Sequence, residues 1–284
     1  MPTCTFFFGC HGERWPEEDE ASGGWSSGGR KRSFGAERPF DDVLLAKPYL
    51  ACEYGLFTGS AVRWYLEGHT EFSAVLEILS EPAKFGIELV NLRGVIKADR
   101  DNIALKLGDW LAEDRALKRF SMISFDYDVG ENLTAVRRQL EDDKIVGYVS
   151  AHRPDFEFAN FTLGELVEVA ARIDESEGFS GQALRTADWT GIVSGRTFED
   201  RYTAISGRMG RRLKGQVWGR ALAKFAMEDL RRADDGCERP LVRDIRMAVH
   251  ARISNYDEQV ERFTIDPLTF ELTLRSQEPN AKTS

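Results

Sequence analysis

Between residues 61 and 149, short apolar runs alternate with longer stretches of helical spacing, and this alternation restricts the fold more than any other feature of the chain. The runs at 61–66, 87–92, 120–125 and 145–149 are of strand length and mostly apolar, as expected of strands buried on both faces. Between them, Phe72, Val75, Leu76 and Leu79 recur at helical spacing. The same holds for Ile103, Leu107, Trp110 and Leu111, and for the segment 133–140. The order β-α-β-α-β-α-β predicts an α/β fold: a mainly parallel four-stranded sheet flanked by helices. Beyond Pro154 the strand signal fades. Segments 163–173, 197–209, 215–233 and 242–256 read as helices, and 263–274 alternates as a terminal hairpin would.

Three segments follow from this pattern. Residues 1–59 form an N-terminal segment that is partly linker-like, with an acidic run from Glu17 to Glu20, a Gly/Ser-rich stretch and then Arg30-Lys31-Arg32. Such composition buries little apolar surface and is expected to be disordered in part. Residues 60–165 are the α/β module, and 166–284 a mainly helical C-terminal module. Across the 284 residues, 42% hydrophobic and 30% charged content is that of a globular protein with a sizeable core. No apolar run approaches the roughly 20 residues of a membrane span, and no signal peptide is visible, so a cytoplasmic location is expected. The four cysteines are too scattered for a disulfide framework. Cys4, Cys10 and His11 have no second pair with which to complete a zinc site. A net charge of −9 argues against a purely electrostatic nucleic-acid binder. It leaves a nuclease open, because carboxylates that hold Mg²⁺ change local sign once the ion binds.

Open parallel sheets bind ligands at the carboxyl ends of their strands, and two acidic motifs fall there. Glu67 directly follows the first strand in Leu66-Glu67-Gly68-His69-Thr70-Glu71. Asp126 and Asp128 directly follow the third strand, and their spacing of two places both carboxylates on one side of an extended segment. If the two strands are neighbours, three carboxylates meet in a small volume. Hard divalent ions such as Mg²⁺ or Mn²⁺ take oxygen ligands of this kind.

At these residues the chain resembles a known family. Glu67-Gly68-His69-Thr70-Glu71 is similar to the glutamate motif of the TOPRIM domain, in the form found in OLD-like (overcoming lysogenization defect) nucleases. Asp126-Tyr127-Asp128 is similar to that family's Asp-x-Asp motif, 59 residues further on. Asn91-Leu92-Arg93-Gly94 resembles the glycine-containing loop after the second strand. The segment from Pro154 to Phe161 resembles an acidic stretch after the fourth. The resemblance spans about residues 60–165 and implies a metal-dependent nuclease. Glu67 would serve as general base or metal ligand, Asp126 and Asp128 as metal ligands, and Asp155 or Glu157 would complete a second metal position. It also implies nucleic acid as substrate, DNA ahead of RNA, and a role in phage defence with a separate ABC/SMC-type ATPase partner. No Gly-x-x-x-x-Gly-Lys-Ser/Thr loop occurs in the chain.

Other readings stand beside this one. Arg208, Arg211, Arg212 and Lys214 could clamp a phosphate backbone, or form a solvated helix face paired with acids. Asp126 in Phe125-Asp126-Tyr127-Asp128-Val129 also fits a haloacid-dehalogenase-like phosphatase with an aspartyl nucleophile, although that reading leaves Glu67 unexplained. A non-catalytic TOPRIM module that binds nucleic acid or a partner is the third reading. Whether the helical module contacts substrate, a partner or another copy of the chain is left open by the residues alone.

Overall fold

The computed structural model describes residues 62–93, 103–207 and 213–275. The N-terminal segment 1–59, and with it Cys4, Cys10, His11 and Arg30–Arg32, lies outside the described residues. So do Gly94, Arg208, Arg211 and Arg212.

Four parallel strands form the sheet: β1 (Val62–Leu66), β2 (Ile87–Asn91), β3 (Phe120–Asp126) and β4 (Gly147–His152). Their spatial order is β2-β1-β3-β4, so the chain reverses its direction of travel between β1 and β3. The expected β-α alternation is present. Helix α1 (His69–Leu79) follows β1, α2 (Ile103–Ala116) follows β2, and α3 (Gly130–Glu141) follows β3. After β4 come α4 (Phe156–Asn160), α5 (Leu163–Ser176), α6 (Gln182–Thr186) and α7 (Gly195–Ser206). Then follow α8 (Gly215–Glu228), α9 (Pro240–Ala251) and α10 (Tyr256–Arg262). The chain closes with an antiparallel hairpin of β5 (Phe263–Ile265) and β6 (Leu272–Leu274).

Successive strand side chains point to opposite faces, and the two faces are buried differently. Val62, Trp64, Leu66, Phe120 and Met122 enter one apolar cluster with α1, α5, α7, α8 and α9. Tyr65, Ile123 and Phe125 enter a second cluster with α2, α3 and the hairpin. The C-terminal helices therefore share a core with the face of the sheet that α1 covers. Helix α8 lies hard against α1, because a Cβ at Gly219 would meet the Thr70 carbonyl oxygen at 2.1 Å. Only glycine permits that approach, and it sets the first turn of α8 beside the carboxyl end of β1.

Two boundaries differ from expectation for local reasons. The segment expected as a single helix over 242–256 divides into α9 and α10. Asn255 begins a new helix there, its side chain accepting the Glu258 N–H at 3.2 Å. The helix expected to reach residue 233 stops at Glu228. The Asp229 carbonyl instead accepts a hydrogen bond from the buried Arg239 guanidinium at 2.8 Å. Among the described residues no helix is long and apolar enough to cross a membrane.

Candidate functional site

Because β1 and β3 are neighbours, with Leu66 opposite Ser124, the two acidic motifs meet at the carboxyl ends of the strands. Glu67 is buried, and its Oε2 accepts the Asp126 backbone N–H at 2.8 Å. The Asp126 side chain accepts the Phe156 N–H through Oδ1 at 2.8 Å, which ties the end of β3 to the first residue of α4. Asp128 is exposed, two residues beyond the strand, and its backbone N–H reaches the Pro154 carbonyl at 3.2 Å.

Asp155 and Glu157 approach the same place from α4. Asp155 is buried and caps α4, Oδ1 accepting the Phe158 N–H at 3.0 Å. Its Oδ2 accepts the Gly195 N–H at the start of α7, at 2.6 Å. Both oxygens are thus already engaged, as in an ordinary helix cap that also anchors a second helix. Glu157 is partly buried and accepts the Trp218 indole N–H at 3.3 Å. A Cβ on Gly195 would come within 2.9 Å of the Glu157 carboxylate, so a larger residue there would displace that carboxylate.

Acid faces acid here. Burial, then the charges of Glu71 and Asp128, lifts the Glu67 carboxyl above its ordinary value, although the hydrogen bond from Asp126 opposes the rise. Burial holds Asp126 well above the usual carboxylate range, with Glu67 and Glu157 adding to the effect. Asp128 is raised by partial burial and by Asp155. Glu157 is pushed up to about 7, by burial first and by Asp155 next. Removal from water and like charge disfavour the ionised form together.

A compensating cation lies inside the cluster. His152, at the end of β4, pairs in register with Asp126. It is buried, and its Nε2 lies 2.9 Å from Glu71 Oε1. Burial opposes its charge, but the hydrogen bond and charge of Glu71, with Asp244 and Asp126, outweigh burial and raise the imidazole to about 9. Its position directly after a strand was legible in the sequence; its partner, 81 residues away, was not. Asn132, in the first turn of α3, is fully buried, and its side chain faces Glu67 and favours that carboxylate's ionised form. Nothing in the sequence singled it out. His69 is exposed and contacts Asn91 at 3.1 Å, as a surface residue of a first helical turn would.

Among the basic residues considered as a phosphate clamp, Lys214 is described. It is exposed, precedes α8, and pairs with Glu199 at 3.2 Å. The next residue, Gly215, donates its N–H to the Thr70 hydroxyl at 3.0 Å, which fixes this end of the basic stretch beside the glutamate motif. As the side chains stand, no group of three or more His, Cys, Asp or Glu among the described residues is gathered tightly enough to grip a metal ion. Compared with family models, curated proteins and solved structures, the chain matches none.

Proposed function

We propose that this protein is a metal-dependent phosphodiesterase of the TOPRIM type, a nuclease that acts on DNA ahead of RNA, with Glu67, Asp126 and Asp128 at its centre. The observation that carries the proposal is the 2.8 Å bond from the Asp126 N–H to Glu67. It joins two acidic motifs 59 residues apart at the place where strand order reverses, the crevice in which open α/β sheets bind ligands. The donors fit Mg²⁺ or Mn²⁺. All are hard carboxylate oxygens, and their mutual repulsion is what a divalent ion would relieve. The side chains do not form a ready cage, so modest rotamer changes at Glu67 and Asp128 accompany binding.

A bound ion would supply an activated water and stabilise the charge of the leaving oxygen. The chain's own residues do the rest. Glu67, buried at the end of β1 with its carboxyl raised by burial, would accept the proton that the water gives up. Asp126 and Asp128 would hold the ion, the first steadied by the Phe156 N–H. Asp155 keeps α4 and α7 in place, and Glu157 stands where a second ion would lie. Lys214, next to Gly215 and so beside the glutamate motif, suits a phosphate backbone. ATP hydrolysis, where the reaction uses it, belongs to a separate ABC/SMC-type partner. The phosphatase reading is weaker. A nucleophilic Asp126 would have to carry a phosphoryl group against the neighbouring charges of Glu67 and Glu157.

The test is cleavage of linear, circular and single-stranded DNA, and of RNA, with Mg²⁺ or Mn²⁺. Glu67→Gln and Asp126→Ala should each lower the rate at least about 100-fold while circular dichroism stays unchanged. Cleavage retained in Asp126→Ala removes the proposed site. A wild-type protein that cuts nothing, even with its co-purifying partner, favours the non-catalytic module.

A further inference from the structure

The sheet ends at β4, whose only strand partner among the described residues is β3. The ladder between them fixes which backbone groups of β4 face outward. Ser121 donates its N–H to the Val146 carbonyl at 2.9 Å, and Tyr127 donates to His152 at 2.8 Å. In a parallel ladder, alternate residues turn both N–H and C=O toward the same neighbour. Tyr148, Ser150 and His152 therefore face β3, while Gly147, Val149 and Ala151 face away from it. Gln259 occupies the Gly147 carbonyl at 3.0 Å. Among the described residues nothing pairs with the outward groups of Val149 and Ala151, and both line a groove of about 780 Å³.

Natural edge strands are commonly blunted by proline, by lysine, by an inward-pointing charge or by a covering element. The sequence of β4, Gly-Tyr-Val-Ser-Ala-His, contains no proline or lysine. The groove beside it is walled on one side by α9, through Met247, and on the other by the hairpin, through Leu268 and Leu272. Leu268 is 68% exposed. A channel floored by a strand edge, with a mainly apolar hairpin wall that also carries Glu271 and a mixed α9 wall where Arg243 and Asp244 flank Met247, matches an extended polypeptide, whose side chains alternate between the two walls. Charge sets the polarity of the ligand. The Arg243 guanidinium is already paired with Asp244 at 2.9 Å. Arg153, exposed at the carboxyl end of β4, stacks on Tyr127 at 4.1 Å and has no carboxylate partner among the described residues.

We infer that the outer edge of β4 is a docking site for an extended segment of a partner protein. The segment is about five residues long, apolar at alternate positions, and places a carboxylate beside Arg153. It adds a fifth strand to the sheet through Val149 and Ala151. This site lies outside the carboxylate cluster and does not depend on the metal reading.

The probe is the synthetic peptide acetyl-Val-Thr-Val-Thr-Val-Asp with a free carboxyl end, added to the full chain and followed by amide hydrogen exchange and by calorimetric titration. Exchange at Val149 and Ala151 should slow at least about tenfold with saturating peptide. Arg153→Glu should weaken binding about tenfold or more, and a peptide N-methylated at alternate residues should not bind. Ala151→Pro removes an outward N–H without cutting the β3 ladder, and it should abolish binding. If that variant fails to fold, the N-methylated peptide carries the same test. Unchanged exchange at Val149 and Ala151 with millimolar peptide overturns the inference. So does a peptide-free dimer that already protects both amides, since the edge then belongs to a second copy of the chain.

Discussion

Both ends of the same sheet bury carboxylates, but they treat them in opposite ways. At the amino ends of the strands, Asp114 from the last turn of α2 is fully buried. Its Oδ2 accepts the Tyr65 hydroxyl at 2.6 Å and the Ser121 hydroxyl at 2.9 Å, and its Oδ1 lies 3.0 Å from Arg63. Arg119 joins at 3.4 Å and links the group to Glu88. At the carboxyl ends, Glu67, Asp126 and Asp155 are held by backbone N–H groups and Glu157 by the Trp218 indole, with His152 as the buried cation. Burial still lifts Asp114 to about 6 despite Arg63, so even a fully partnered acid is costly to bury. The difference lies in what would relieve that cost. The Asp114 cluster is complete within the chain, which marks it as structural. In the opposite cluster the buried acids outnumber the one buried cation, His152, so like charge remains that partners within the chain do not balance.

The largest effect that could break this comparison is at the complete cluster. Asp114→Ala leaves the Tyr65 and Ser121 hydroxyls without their acceptor, while Arg63 keeps Glu88 and Glu113, and each buried polar group left unsatisfied costs about 1–3 kcal/mol. Urea unfolding should show this loss with or without Mg²⁺; a loss below about 1 kcal/mol would mean that Asp114 is not structural. Next comes the ion itself. Mg²⁺ at a hundred times its dissociation constant should stabilise the wild type by about 2.7 kcal/mol. Asp126→Asn should lose that gain in a thermal melt and Asp114→Ala should keep it; equal gains in both variants would place the ion elsewhere.

Smaller again is the pH dependence of Glu157. Its folded-state value, about 7, lies above the ordinary 4.5, so the unfolded chain releases this proton first. Stability is therefore fully present below about 4.5 and falls as pH rises through about 7. Glu157→Gln should match the wild type at pH 4 and exceed it at pH 8 by roughly 2 kcal/mol. A variant no more stable at pH 8 would show that Glu157 is not under repulsion. The smallest effect is at Lys214, exposed and paired with Glu199 at 3.2 Å. Lys214→Ala should change stability by no more than about 0.5 kcal/mol. A larger loss would assign that lysine a structural part, rather than leave it free to meet a phosphate.

The strands of the sheet were legible because each is a short apolar run bounded by polar residues, and a strand buried on both faces needs little else. The capping box of α5 could be read from Thr162 and Glu165, three residues apart, and the structure forms it. The break at Asn255 was obscured because apolar residues continue at helical spacing on both sides of it. In the site, Glu67 and Asp126 could be found because each directly follows a strand. Asp155 was legible as an acid, but its bond to Gly195, 40 residues away, was not. Glu71 and His152 could be read only as residues near motifs. Their pairing depends on β4 lying beside β3 and on α1 covering that face.

By itself, the sequence determined the parallel α/β pattern, the terminal hairpin and the placement of three acids at strand ends, since these depend on side-chain period and on residues close together in the chain. Tertiary structure decided strand order, the approach of α8 to α1 at Gly219, and which buried acids found partners. It also decided that the edge of β4 lies open between α9 and the hairpin. Each of these depends on contacts between residues far apart in the chain, where burial and charge are set by neighbours that no local pattern names.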